Sequence, residues 1–109
     1  MRVKTKAPMP TSIRILGRRF TVHIITEDPL DAGKLGTLQM DALRINLIDS
    51  QDPVGEADTL LHEVMHALCH LMRVTSGDDE EDIVWRLATG LTAVFQDNPE
   101  FGAYISEVR

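Results

Sequence analysis

Hydrophobic and polar positions change their period twice along this chain. From Ser12 to Leu16 they alternate, the segment Gly17-Arg18-Arg19 breaks the run, and a second apolar run follows from Phe20 to Ile25. Period two marks a half-buried strand, so the pair predicts a hairpin. Glu27-Asp28-Pro29 and Asp31-Ala32-Gly33 read as loop. Gly36 to Met40 and Leu43 to Ile48 predict two further strands around Asp41-Ala42. At Asp49-Ser50-Gln51-Asp52-Pro53 the period becomes helical, with Asp52 suited to the N-cap and Pro53 to the first helical position. Leu61, Val64, Met65, Leu68, Leu71 and Met72 then recur at helical spacing until Thr75-Ser76-Gly77 ends the helix. A second helix opens in the acidic run Asp78 to Asp82, where negative charge suits the helix dipole. It carries Ile83, Val84, Leu87, Leu91, Val94 and Phe95 on one broad face as far as Asp97-Asn98. Asn98-Pro99-Glu100 predicts the cap and first turn of a short third helix bearing Phe101, Tyr104, Ile105 and Val108. Strands followed by helices predict an α+β fold with a small, antiparallel-rich sheet. Residues 1–10, basic and punctuated by Pro8 and Pro10, read as a flexible arm, and residues 11–109 as a single domain.

Composition narrows the class. With 43% hydrophobic residues the 109-residue chain can bury a modest core. Its net charge of −6 argues against general affinity for nucleic acid or an anionic membrane. The single cysteine, Cys69, excludes an internal disulfide, so packing, with or without a metal, holds the fold. No apolar run has the length of a signal peptide or a membrane span, and the expected location is the cytoplasm.

The chemistry concentrates in His62-Glu63-Val64-Met65-His66. Histidines four apart on a helix project from one side, one turn apart, and can converge on one ion. Glu63 is turned by roughly 100° from His62, so it is placed to take a proton from a water bound at the metal rather than to join the histidine pair. Thr59, Leu60 and Leu61 before the site and Ala67 and Leu68 after it supply the apolar flank that a site helix buries. The blander reading, polar decoration of an amphipathic helix, leaves two imidazoles at the core edge in need of partners.

Catalytic zinc ordinarily has three protein ligands and a water. The positions where a metzincin continues its histidines hold Cys69 and Met72, and no histidine follows His70. The third ligand is therefore sought in the acidic run. Glu81 shares a helical side with Val84, Trp85 and Ala88 and can point inward; Glu80, in line with Val84 and Leu87, stays open as its rival. Asp82 suits less, because Arg86 lies one turn on. His70, four residues past His66, reads as a surface histidine near a helix end, with an outer-shell or stabilising role open. Cys69 reads as a buried, inert thiol, His23 has no assigned role, and Tyr104 reads as core edge unless the last helix folds back to aim its phenol at an oxyanion.

The stretch Thr59-Leu60-Leu61-His62-Glu63-Val64-Met65-His66-Ala67-Leu68, followed by Glu81-Asp82-Ile83-Val84-Trp85-Arg86-Leu87-Ala88, resembles the small gluzincin-like domains of phages and mobile elements, among them the ImmA/IrrE-type metallopeptidases. In that family a glutamate opens the second helix in an E-x-x-A-x-x-F-A pattern. Glu81 falls at the glutamate and Leu87-Ala88 at the F-A pair, with Val84 where the family has alanine. The resemblance spans roughly residues 36–100 and is concentrated in the pentad. It implies a minimal zincin-like fold, Zn²⁺ as cofactor, a protein or peptide substrate, and peptide-bond hydrolysis with Glu63 as general base. Two other readings stand beside it: a zinc-binding phage accessory, assembly or regulatory protein without turnover, and a helical interaction domain without metal.

Overall fold

The computed structural model describes residues 7–26 and 33–109. Four strands come first, β1 (Ser12–Ile15), β2 (Arg18–Ile25), β3 (Gly36–Gln39) and β4 (Arg44–Ile48). Three helices follow, α1 (Pro53–Leu71), α2 (Glu80–Asp97) and α3 (Pro99–Glu107). The α+β class expected from the sequence is what the chain adopts. The loop expected before Gly33 and the first six residues of the expected arm lie outside the described residues, except for Gly33 itself. At the end of that arm Met9 packs on the core and Pro10 is buried.

The strand order is β1-β2-β4-β3. β1–β2 and β3–β4 pair antiparallel, and β2–β4 pair parallel. The first hairpin closes one residue earlier than its polarity suggests. Ile15 pairs with Arg18, and the two-residue turn is Leu16-Gly17, with φ of 48° and 84°. Positive φ at both central positions is the twist that a tight hairpin needs. Arg18 and Arg19 therefore belong to β2, and the turn is hidden because leucine rarely adopts that region.

Ile13, Ile15, Phe20, Ile45 and Leu47 of the sheet meet Ala57, Leu60, Val64, Ala67 and Leu68 of α1, Val94 of α2, and Phe101 and Tyr104 of α3. α1 lies over β3 and β4, and α2 over β1. The start of α1 follows expectation: Asp52 accepts a hydrogen bond from Gly55 N at 2.6 Å, with Pro53 in the first turn. Its end comes before Thr75-Ser76-Gly77. Arg73 takes φ 55°, its N–H donates to His70 O, and Val74 N–H donates to Cys69 O. These are the two bonds of a Schellman motif, here closed by an arginine where glycine is usual.

α2 comes close to the end of α1 at Gly90. A Cβ at Gly90 would come within 2.9 Å of both Leu68 and Met72, so glycine sets this close approach. Gly90 and Val94 are the buried residues of α2, both beyond its midpoint. The expected apolar face consequently splits. Leu87, Leu91, Val94 and Phe95 pack inward, while Val84 and Trp85 stand 55% and 70% exposed. No described helix is long and apolar enough to cross a membrane.

The α2–α3 junction is tied to β1 by one side chain. Asn98 is buried; its Oδ1 accepts from Arg14 N at 2.8 Å, and its Nδ2 donates to Arg14 O at 2.7 Å and to Val94 O at 2.8 Å. Asn98 thus precedes α3 as expected but does not cap it with its side chain; it acts as a strand partner for β1 instead. Phe95 and Phe101 stack across the same junction with centroids 5.4 Å apart. Replacing Asn98 with Ala leaves the part-buried Arg14 backbone groups and the buried Val94 carbonyl without these partners. The expected loss is about 2–3 kcal/mol of unfolding free energy, read from urea melts.

Candidate metal centre

The apolar side of α1 rests on the sheet, which leaves His62 and His66 exposed and turns Glu63 inward. The His62 and His66 Nε2 atoms face each other at 3.0 Å, and the rings meet edge to face with centroids 4.6 Å apart at 74°. At ordinary zinc–nitrogen bond lengths a tetrahedral site spaces two such nitrogens by about 3.3 Å. The pair therefore fits a metal with only a slight opening. Glu63 is 5% exposed, and its Oε2 has no hydrogen-bond partner. Leaving a carboxylate oxygen buried and unpaired is costly unless something polar occupies the space beside it. Ligand atoms of His62, Glu63 and His66 all lie within 4.8 Å of one another, and this group could hold a metal ion.

The site opens into a groove of about 730 Å³ between α1 and β3. Asp58, His62, His66 and His70, successive residues four apart, line its helix side. Leu35, Gly36, Thr37, Leu38 and Met40 line its strand side. Gly36 sets the separation. A Cβ there would stand 2.7 Å from Thr59 Cγ2, 3.1 Å from Asn46 O and 3.4 Å from Glu63 Cγ, so any larger residue pushes β3 away from the site helix. Gln51 fastens the same corner. Its Nε2 donates to Leu35 O and Ile48 O, both at 3.0 Å, and its Oε1 accepts from the Thr59 hydroxyl at 2.6 Å.

β3 is an edge strand, and its register fixes which backbone groups are open. Ile48 N–H donates to Leu35 O at 2.9 Å, with Thr37 opposite Asn46 and Gln39 opposite Arg44. Alternation along an antiparallel ladder then turns the N–H and C=O of Thr37 and Gln39 toward β4, and those of Gly36 and Leu38 toward the open edge. The open edge of β3 thus presents the Gly36 and Leu38 backbone groups.

Among the candidates away from the pentad, Glu80, Glu81 and Asp82 are exposed on the first turn of α2 and stand outside the His62–Glu63–His66 group. The side of α2 that carries Glu81, Val84, Trp85 and Ala88 faces solvent, not inward as its periodicity suggests. In the same acidic run Asp79 caps α2 through Glu81 N–H, and Asp78 accepts from Thr75 N–H and pairs with Arg86 at 3.2 Å. The Thr75 amide, ahead of the Arg86 charge, holds the Asp78 carboxyl below its usual value. His70 lines the groove. Cys69 is half-buried with a free thiol and stands outside the His–Glu–His group, while His23 lies within hydrogen-bond distance of Thr21 Oγ1 on β2. Tyr104 is a core residue that lines no part of the groove. Burial, and then the Glu56 charge, push its phenol above the ordinary value. Gly36, Gln51 and Asp58 were not singled out from the sequence. A glycine opening a strand was the signal for the first, since such glycines often mark close backbone approach.

Comparison of the chain with protein-family models, curated proteins and solved structures returned no match.

Two stability measurements check this geometry. Gly36→Ala forces β3 off α1 and is expected to cost about 1–3 kcal/mol in denaturant unfolding. Glu63→Met, which removes the buried unpaired oxygen, is expected to stabilise the protein by about 1 kcal/mol or more in thermal melts run with a chelator.

Proposed function

We propose that this chain is a zinc metallopeptidase of the small gluzincin type, similar to the ImmA/IrrE-type enzymes of phages and mobile elements. The observation that carries the reading is the pairing of two facing imidazole nitrogens, 3.0 Å apart, with the buried, unpartnered Glu63 Oε2. His62 and His66 would hold the ion, and a bound Zn²⁺ supplies Lewis acidity and an acidified water. Imidazole ligands suit zinc among the common divalent ions. Glu63 then takes a proton from the attacking water and returns it to the leaving amine. Its burial keeps that carboxylate largely out of bulk water. The Gly36 and Leu38 backbone groups at the β3 edge pair with an extended peptide and orient its scissile carbonyl over the histidines. A protein or peptide substrate is thus expected, acted on in the cytoplasm, without nucleic acid or membrane as partner.

A second reading has one observation in its favour. Among the described residues the group that could hold an ion is His62, Glu63 and His66, so Glu63 can serve as a third ligand in place of a general base. A phage accessory, assembly or regulatory protein that binds zinc without turnover fits that arrangement.

Metal analysis and a peptide-cleavage screen separate the readings. Wild type is expected to bind zinc stoichiometrically and His66→Ala to lose it. Glu63→Gln is expected to keep zinc while cleavage of any peptide found in the screen falls by about 10²–10⁴-fold. Cleavage unaffected by Glu63→Gln overturns the mechanism; absence of zinc from wild type overturns the metal site.

A further inference from the structure

The two borders of the groove run side by side in the same direction. Gln51, just ahead of α1, bonds both Leu35 O and the Thr59 hydroxyl. One residue on, Gly36 meets Thr59 and Glu63. Leu38 and Met40 therefore pass along the later turns of α1, where His66 and His70 line the groove. The lengths agree. Leu35 to Met40 spans roughly 17 Å of extended chain, and Asp58 to His70 about 18 Å of helix. Among the described lining residues, Gly36 thus stands beside the chemistry, and the strand border beyond it is apolar.

The register of β3 decides which residues of a bound peptide meet that border. Gly36 lies opposite Leu47 and Leu38 opposite Ile45, both core residues, so Gly36 and Leu38 face the helix side of the sheet. Thr37, opposite Asn46, faces the other side. Leu38 and Met40 pack against the core while half-buried, so each keeps surface open to the groove. Antiparallel addition is the more stable pairing per residue. A peptide so added sets one residue opposite Leu38 and the next but one opposite Gly36. Both turn their N–H and C=O to β3 and their side chains to the helix side. The residue between them turns its carbonyl away from β3, across the groove toward His62 and His66, and that carbonyl is the one attacked. The bond broken then leads to the residue opposite Gly36. Its amine leaves beside Glu63, whose Cγ lies 3.4 Å from the place of a Gly36 Cβ. The residue ahead of the attacked carbonyl sits opposite Leu38, with Met40 as its diagonal neighbour.

We infer that the groove selects peptides with an apolar side chain on the residue just before the one whose carbonyl is attacked, and that Leu38 and Met40 make this choice. The inference rests on the peptidase reading of the groove. An aliphatic or aromatic side chain at that position withdraws from water against Leu38 and Met40. A charged one is desolvated against the same two side chains. Methionine is unbranched and adapts its shape, so the choice is for apolarity and not for one residue. The residue that carries the attacked carbonyl points its side chain to the Thr37 side of the sheet, and Leu38 and Met40 do not select it.

The test is a cleavage profile. Zinc-loaded wild type is given a library of short, unstructured synthetic peptides, each cut bond is located by mass spectrometry, and only cuts that Glu63→Gln abolishes are scored. At the second residue before the cut, Leu, Ile, Met and Phe are expected to be favoured over Asp and Lys by about 10-fold or more. The residue directly before the cut is expected to show no comparable preference. Met40 is half-buried and stands outside the His62–Glu63–His66 group. Met40→Glu is expected to keep its zinc while kcat/KM for a peptide with Leu at the selected position falls about 10–100-fold and a peptide with Lys there gains. Met40→Ala introduces no charge and keeps the test open where the Glu variant fails to fold; it is expected to narrow the preference for Leu over Ala severalfold. A flat profile at the selected position, a preference found only after the cut, or a profile unchanged in the folded variants overturns the subsite while leaving the peptidase reading in place. A zinc-loaded wild type that cuts no peptide in the library overturns both.

Discussion

Everything at the groove depends on how near β3 can come to α1. The approach is set where Gly36 leaves no room for a Cβ between Thr59, Asn46 and Glu63. Because the strand comes that close, the Glu63 carboxyl is covered while the histidines beside it stay open. Gln51 holds the distance by bonding Leu35 just ahead of β3, Ile48 of β4 and Thr59 of α1 at once. A strand moved outward by the width of a methyl group would expose Glu63 to bulk water and carry the Gly36 and Leu38 edge groups away from the imidazoles. One hydrogen atom in place of a side chain thus couples sheet packing to the chemistry of the helix.

The fold carries a local cost at this point. A buried carboxylate oxygen without a partner opposes folding, and natural chains keep such groups mainly where they serve a function. α1 can bear it because its neighbouring turns are well buried. Leu60, Val64, Ala67 and Leu68 show no exposed surface, and each fully buried aliphatic side chain of the size of leucine or valine contributes about 1.5–3 kcal/mol. The Tyr104 phenol is also buried without a partner, but it lies in the core away from the groove. Glu63 opens onto a lined groove beside two nitrogens, whereas Tyr104 sits in the core within reach of the Glu56 charge.

Much of this was legible in the sequence, and the reasons differ for what was not. The start of α1 was readable because Asp52-Pro53 is a local signal acting within four residues. The pentad was readable because helical geometry alone brings residues four apart together. The hairpin turn and the end of α1 were misplaced by residues that stand where glycine is expected, Leu16 and Arg73. The parallel β2–β4 pair leaves no mark in either strand, since pairing direction is decided by the connection between them. Asn98 had the right neighbours for a helix cap, but a β1 backbone 84 residues away in sequence took its side chain. The inward face of α2 was misjudged at Val84 and Trp85 because periodicity names an apolar side without saying how much of the helix has anything to pack against.

That last misjudgement has a structural cause with consequences for the site. α2 is held by Gly90 against Leu68 and Met72, by Leu87, Leu91, Val94 and Phe95 on the core, and by Asn98 against Arg14. A helix pinned at several places along its length has a fixed direction, because its backbone hydrogen bonds make it a nearly straight rod over such distances. Swinging its first turn around α1 to the groove would pull Asn98 from β1 and leave buried groups there without partners. Unwinding the first half instead would forfeit the Asp79 cap and the Asp78–Arg86 pair. Both routes sacrifice contacts that the chain already has. The fold that buries Glu63 so well is therefore also the fold that keeps Glu81 apart from His62 and His66.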